Sequence, residues 1–277
     1  MCQVLQVSRS GFYKWQSLQV APPTERTKQR EKLTERITYV FNDHKMRYGS
    51  PRILDQVRKE GYLVTQRTVA RIMRKQGLRS CVVKKFRVTT TDSKHDSPIS
   101  ANLLNQNFAI AAPNQVWVTD ITYIPCREGK LYLANVLDLC THKLIGWALG
   151  SSMTVDLVLT ALDRAFEAKK PPEGLIHHSD RGSQYASTAY RERLQQYKMV
   201  SSMSRKGNCY DNAVIEAFHS SLKRELVYQT TFKTKKEAYD EIFEYIEFYY
   251  NRKRTHSSLG YFSPDVFEAR YYANQLK

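Results

Sequence analysis

The chain has 277 residues, 42% of them hydrophobic, which is enough for one large domain or two modest ones with real cores. Its formal net charge is +16, and residues 1–100 hold 21 Lys and Arg against 8 Asp and Glu. The basic charge therefore sits in the first third and points to a polyanion-binding module there, while no apolar span or lipidation signal supports a membrane. Five scattered cysteines without a CxxC pair argue against a zinc ribbon or a disulfide scaffold and fit a reducing cytoplasm. Neither a signal peptide nor an internal repeat is read.

In chain order, residues 1–22 read as the remnant of a helix-turn-helix. Ser8 can cap a short helix carrying Phe12, Tyr13 and Trp15. The competing reading is a terminal helix packed by its aromatics. Residues 24–80 read as a compact basic helical unit. A first helix over Glu25 to Asn42 has Leu33, Ile37, Val40 and Phe41 on one face. A second starts at Ser50-Pro51, with the serine as cap, and ends at Gly61. Thr65 caps a third, in which Val69, Ile72 and Met73 point inward and Arg67, Arg71, Arg74 and Lys75 outward. Helix, glycine-containing turn and basic helix form the pattern of a DNA-reading helix-turn-helix, set against a solvated basic helix on any small bundle. Residues 81–112 have poor periodicity and read as a linker, whose Lys84 and Lys85 suit a nucleic-acid backbone.

From Pro113 the texture becomes α/β. Strands are predicted over Gln115–Ile124, Leu131–Leu139 and Lys143–Leu149, then a helix over Thr154–Lys169. A short buried strand, Leu175–His178, ends at Asp180, and a helix over Ser183–Tyr197 and a strand over Met199–Met203 follow. The next helix, capped by Asp211 or Asn212, packs through Val214, Ala217, Phe218, Leu222 and Leu226. Three antiparallel strands followed by alternating helix and strand is the order of a ribonuclease-H-like core, in which the first and fourth strands lie side by side. This core is read over 113–228. Residues 229–277 are a helical extension with a long helix over Lys235–Tyr250, a basic cluster at Arg252, Lys253 and Arg254, and a final helix after Ser263-Pro264.

That layout makes neighbours of Asp120, in mid-strand, and Asp180, at a strand end, with the helix of Glu216 across them. On that helix Glu216, Ser220 and Lys223 fall at i, i+4 and i+7 and share a face. A single such Asp is more often a cap or a surface charge. Three carboxylates in these contexts instead point to a site where two hard cations assist an in-line displacement at phosphorus. Asp138 reads as structural support ahead of a fourth ligand. His177 reads as packed in its strand and His178 as a neighbour of the acids. His219 reads equally as facing DNA or the site, and His256 is unassigned.

These segments resemble the DDE transposases and retroviral integrases, and most of all the second-reading-frame transposases of the IS-three family of bacterial insertion sequences. The resemblance covers nearly the whole chain. MCQVLQVSRSGFYKW and RYGSPRI to RKQGLRS match its start and internal helix-turn-helix. VWVTDITYI, HSDRGSQY and GNCYDNAVIEAFHSSLKREL hold the three acids, and YNRKRTHSSLGYFSP matches its ending. Ala217 departs from the serine often found after the glutamate. The resemblance implies that Asp120, Asp180 and Glu216 bind two magnesium or manganese ions and that Lys223 contacts DNA. It also implies double-stranded DNA at element ends and target as substrate, and a homo-oligomer on DNA. The family's first-frame protein is the implied partner, usually fused by frameshifting, and its region is absent here. Two other classes stay open: a nuclease of the same fold, and a non-catalytic repressor that competes for ends.

Overall fold

Apolar residues recur at helical spacing up to Ser80 and alternate as in strands beyond Pro113. The computed structural model divides accordingly into two compact units, Met1–Ser80 and Cys81–Lys277. It describes residues 2, 4, 6–20, 22, 24–83, 98–205 and 209–275.

The first unit is helical: α1 (Arg9–Val20), α2 (Glu25–Asp43), α3 (Ser50–Lys59) and α4 (Gln66–Lys75). Its core is the expected one, with Leu33, Ile37, Val40 and Phe41 of α2 meeting Ile53 and Val57 of α3 and Val69, Ile72 and Met73 of α4. Thr65 caps α4 by accepting from the Thr68 N–H at 3.3 Å. The cap of α3 differs from expectation. Ser50 is already inside the helix, and Gly49 takes the extended cap position without a side-chain bond. On α1, Tyr13 and Trp15 are exposed, and the Phe12 ring lies against both.

The second unit is built on a five-stranded sheet: β1 (Val116–Cys126), β2 (Gly129–Asp138), β3 (Leu144–Gly150), β4 (Ile176–Ser179) and β5 (Val200–Met203). The spatial order is β3-β2-β1-β4-β5, antiparallel among the first three and parallel from β1 through β4 to β5. This is the ribonuclease-H-like α/β sheet, with β1 beside β4 as the element order requires. One face carries Trp117, Ala134, Val136 and Ala148 against Val158, Leu162 and Ala165 of α5 (Val155–Lys169). At Gly146 an added Cβ would lie 2.3 Å from the Ala161 carbonyl oxygen and 2.6 Å from the Ala165 nitrogen, so β3 and α5 meet backbone to backbone. Gly146→Ala should therefore destabilise the second unit by about 1–3 kcal/mol through overpacking. Urea unfolding measures this, and a loss below about 0.5 kcal/mol would mean the helix yields freely.

The single helix expected over Ser183–Tyr197 is two, α6 (Ser183–Ala186) and α7 (Thr188–Gln196). Ser187 breaks them apart. Its backbone is extended, and its hydroxyl accepts from the Tyr190 N–H as a new cap. Beyond β5 come α8 (Ala213–Leu222), α9 (Lys235–Phe243) and α10 (Pro264–Gln275). Both α8 and α9 run on into π-helical turns, Lys223–Val227 and Glu244–Tyr250. The exposed edge of β3 is covered by side chains of the tail: Asn251 exchanges two hydrogen bonds with the Leu144 backbone, and Trp147 Nε1 donates to Glu247. Residues 98–107 lie along β5, through the Met203 N–H to the Ala101 carbonyl and the Leu103 N–H to the Ser202 hydroxyl. No helix among the described residues is long and apolar enough to cross a membrane.

Candidate active site

Asp120 sits midway along β1, paired in register with Asn135 of β2, on the sheet face that α8 covers. Its Oδ1 accepts from the Ile121 N–H at 2.8 Å. Asp180 follows the last residue of β4, and its Oδ1 accepts from the Gly182 N–H at 2.9 Å. A Cβ on Gly182 would stand 3.0 Å from that oxygen, so the glycine leaves room for the carboxylate. Glu216 lies in the first turn of α8, more open to solvent than Asp120 but partly desolvated, where the helix dipole favours an anion.

Neither residue read as the cap of α8 caps it through its side chain. The Asn212 amide reaches the Thr119 carbonyl of β1 at 3.4 Å, tying the helix start to the strand that holds Asp120. The buried Asp211 carboxylate binds the Arg205 guanidinium and the amides of Asn102 and Gln106. These contacts, the Arg205 ion pair foremost, hold Asp211 well below the usual carboxylate range. Along α8, Ile215, Phe218 and Leu222 are buried, whereas Ala217, expected to pack, is exposed.

The three acids share one field. Burial raises the Asp120 carboxyl well above its ordinary value; Asp180 and then Glu216 push it further, against the Ile121 N–H and Lys223. Glu216 is also raised, by burial and then by Asp180. Lys223 is half-buried and lowered by burial, with Asp120 opposing that shift. Its ammonium lies 4.7 Å from the centre of the Tyr123 ring, a cation–π contact. Mutually raised carboxylates are a poor arrangement alone and a favourable one around a cation, and hard oxygens are the donors that magnesium and manganese take. Among the described residues no three His, Cys, Asp or Glu side chains are gathered tightly enough to ligate one ion as they stand. The acids converge within electrostatic range of each other rather than on a single point.

Residues 28–86 match the family described as HTH-like domain, and residues 111–209 and 197–264 match two described as Integrase core domain. A Shigella sonnei protein, "Insertion element IS600 uncharacterized 31 kDa protein", is 44% identical over 98% of both chains. "Transposase InsF for insertion sequence IS3A" of Escherichia coli K12 is 42% identical over 97% of this chain and 92% of its own length. This chain belongs to the IS3 family of insertion-sequence transposases. A Lactococcus lactis transposase for element IS904 is also 44% identical to it, over 89% of the present transposase and 97% of that one. Among solved structures, a simian T-cell lymphotropic virus intasome in complex with the PP2A regulatory subunit B56 gamma is similar with a TM-score of 0.49 and 11% identity. It covers 84% of the transposase and 74% of its own chain. An HTLV-2 integrase catalytic core domain in complex with magnesium has a TM-score of 0.43 and 14% identity, over 56% of the transposase and 97% of that chain.

The histidines of the transposase separate cleanly. His177 is buried against Tyr190, and burial lowers it to about 3. His178 does not join the acids. It is held between the Ser202 and Ser204 hydroxyls at 2.9 and 3.1 Å, lowered by burial to about 4. His219 faces the site: its Nδ1 is 3.5 Å from Asp120 Oδ2, and its Nε2 meets the Asn135 side chain. Burial, with Lys223 adding, lowers it to about 3. Asn135 is a buried neighbour of the site, and one polar residue inside the apolar run YLANVL is its sole mark in the sequence. Asp138 is structural support, accepting from the Asn114 N–H and from both the N–H and the hydroxyl of Thr141. In the helical unit, Arg67, Arg71, Arg74 and Lys75 are all exposed on α4. Lys84, Lys85, Gly207 and Asn208 lie outside the described residues.

Proposed function

We propose that the transposase cleaves DNA at the ends of its insertion sequence and joins those ends to target DNA by metal-dependent transesterification. Asp120, Asp180 and Glu216 serve as ligands of two magnesium or manganese ions. What carries this reading is the placement of the acids on β1, just past the neighbouring β4 and on α8, where Asp180 raises both Asp120 and Glu216. Divalent ions bound there would stabilise the attacking and leaving oxygens of a phosphodiester exchange. The residues supply placement. The Ile121 and Gly182 N–H groups each fix one oxygen of Asp120 and Asp180, and the tie from Asn212 to Thr119 sets the start of the helix that carries Glu216.

Lys223 is the DNA-contacting residue of the site. Its ammonium rests against Tyr123, and a point charge holds phosphate but cannot replace a metal. Lys223→Ala should weaken end engagement and joining while unfolding free energy falls by no more than about 1 kcal/mol, the size of the lost cation–π contact, and Lys223→Arg should be tolerated better. Normal joining by the alanine variant at physiological salt would make Lys223 a bystander.

Residues 24–80 are the DNA-binding domain, with Arg67, Arg71, Arg74 and Lys75 on the duplex. Residues 81–112 are the linker, whose 98–107 stretch is laid along β5 of the core, with Lys84 and Lys85 along the phosphates. Residues 113–228 are the catalytic core, and 229–277 its helical extension. The +13 carried by residues 1–100 makes binding strongly salt-dependent. Assembly as a homo-oligomer on DNA, and action with the first-frame protein, complete the reading. The test is incubation of the full chain with end DNA, target DNA and magnesium. Joined products support the reading. Hydrolysis without joining would favour a nuclease, and end binding without either would favour a repressor.

A further inference from the structure

His219 is buried, lies one turn from Glu216 on α8, and is not one of the acids that carry the chemistry. Its two ring nitrogens face different groups. Nδ1 stands 3.5 Å from Asp120 Oδ2. Nε2 stands 3.0 Å from Asn135 Nδ2 and 3.3 Å from Asn135 Oδ1. Asn135 is itself fully buried and is the cross-strand partner of Asp120 in the β1–β2 ladder. A neutral imidazole has one N–H to place. With Asp120 ionised, as a metal ligand must be, putting it on Nε2 would leave the Nδ1 lone pair facing a carboxylate oxygen, two acceptors in contact. Putting it on Nδ1 turns the row into consistent donation, from Asn135 Nδ2 to His219 Nε2 and from His219 Nδ1 toward Asp120 Oδ2.

We infer that His219, held in its Nδ1–H form by Asn135, is a positioning residue that sets the orientation of the Asp120 carboxylate for metal binding. The inference rests on the proposed role of Asp120 as a ligand. The mechanism is steric and electrostatic. Oδ1 of Asp120 is already tied to the Ile121 N–H, so rotation of the carboxylate is limited on that side only. A donor on the Oδ2 side limits the remaining freedom. The observed 3.5 Å is longer than a formed hydrogen bond, and a small turn of the carboxylate closes it. Groups behind a metal ligand in this manner typically change metal affinity by about 10–100-fold when removed. Because His219 also sits on the helix of Glu216, the same ring couples the placement of two of the three acids.

The experiment is direct titration of the DNA-free full chain with Mn2+, the unbound ion being counted by electron paramagnetic resonance, with thermal melting in the absence of metal as a control for folding. Asparagine reproduces the Nδ1 position of histidine, and glutamine the Nε2 position. His219→Asn should keep Mn2+ affinity within a few-fold of the parent, whereas His219→Gln and His219→Ala should lose about tenfold or more. Asn135→Leu, which leaves the ring without its partner, should fall between them. Affinity unchanged in His219→Ala, or asparagine no better than glutamine, would overturn the inference. If His219→Ala melts early, the asparagine and glutamine pair decides. Asp120→Asn separates the two levels. Should it bind Mn2+ as tightly as the parent, the ligand role of Asp120 falls and this inference with it. Should it lose binding while all His219 variants keep theirs, the inference alone falls.

Discussion

Asp120→Asn, Asp180→Asn and Glu216→Gln should each lower end cleavage and joining by about a thousandfold or more, some 4 kcal/mol of barrier, with end-DNA binding nearly unchanged. Each replacement keeps the shape of the side chain and removes one unit of ligand charge. A second readout distinguishes this from damage to the fold. The Asp120 carboxyl is raised above its ordinary value, so the folded chain holds that proton more tightly than the unfolded chain, and ionising it at neutral pH opposes folding. Asp120→Asn should thus melt no lower than the parent without divalent ions, and higher if anything. Magnesium should raise the melting temperature of the parent and raise that of the variant less, because ligand binding stabilises only the form that binds it. Any one of the three variants joining ends at a normal rate would remove that residue from the proposed set. A variant that loses activity together with stability would leave its role structural.

Most of the sheet was legible in the sequence because alternation is a local signal. VWVTDITYI and the apolar run of β2 define two strands, and the element order then requires β4 to lie beside β1, which places Asp180 near Asp120. Helix ends were less legible because a cap depends on one backbone angle. Ser50 and Gly49 are both reasonable caps by residue type, and the extended ψ of Gly49 decides between them. Ser187 carried a cap signal that an uninterrupted helical pattern hid. The π-helical turns at Lys223–Val227 and Glu244–Tyr250 are invisible to a 3.6-residue period. Polar partners distant in sequence were the least legible. Nothing local in YLANVL announces that Asn135 meets a histidine on α8, and nothing in NRKRTH announces which of its basic residues is buried.

That last residue is Arg254, and its removal should have the largest effect on stability. Read only as one of three residues in a basic cluster, it is buried, as is Glu225 on the π-helical turn that continues α8. Its Nε lies 3.0 Å and its Nη2 2.9 Å from the Glu225 carboxylate; Nη2 also donates to the Ser221 hydroxyl at 3.0 Å. The Tyr245 hydroxyl donates to the same carboxylate at 2.9 Å, and Nη1 approaches His256. Two elements of the tail thereby grip the helix that carries Glu216 and Lys223. Taking one partner from such a pair leaves the other charge buried and unpaired, which costs about 3–5 kcal/mol. Arg254→Ala and Glu225→Ala should each lower the melting temperature of the second unit by roughly 10 °C or more. The double variant should be less destabilised than the sum of the two, since it strands no charge. Lysine distinguishes this brace from a DNA contact. On an exposed phosphate-binding surface Arg254→Lys would be mild, but a compact ammonium cannot span Glu225 and Ser221 as the planar guanidinium does. Arg254→Lys should therefore remain several degrees below the parent without DNA. If it melts with the parent and loses only DNA affinity, Arg254 belongs to the DNA-binding surface and the tail is not a brace.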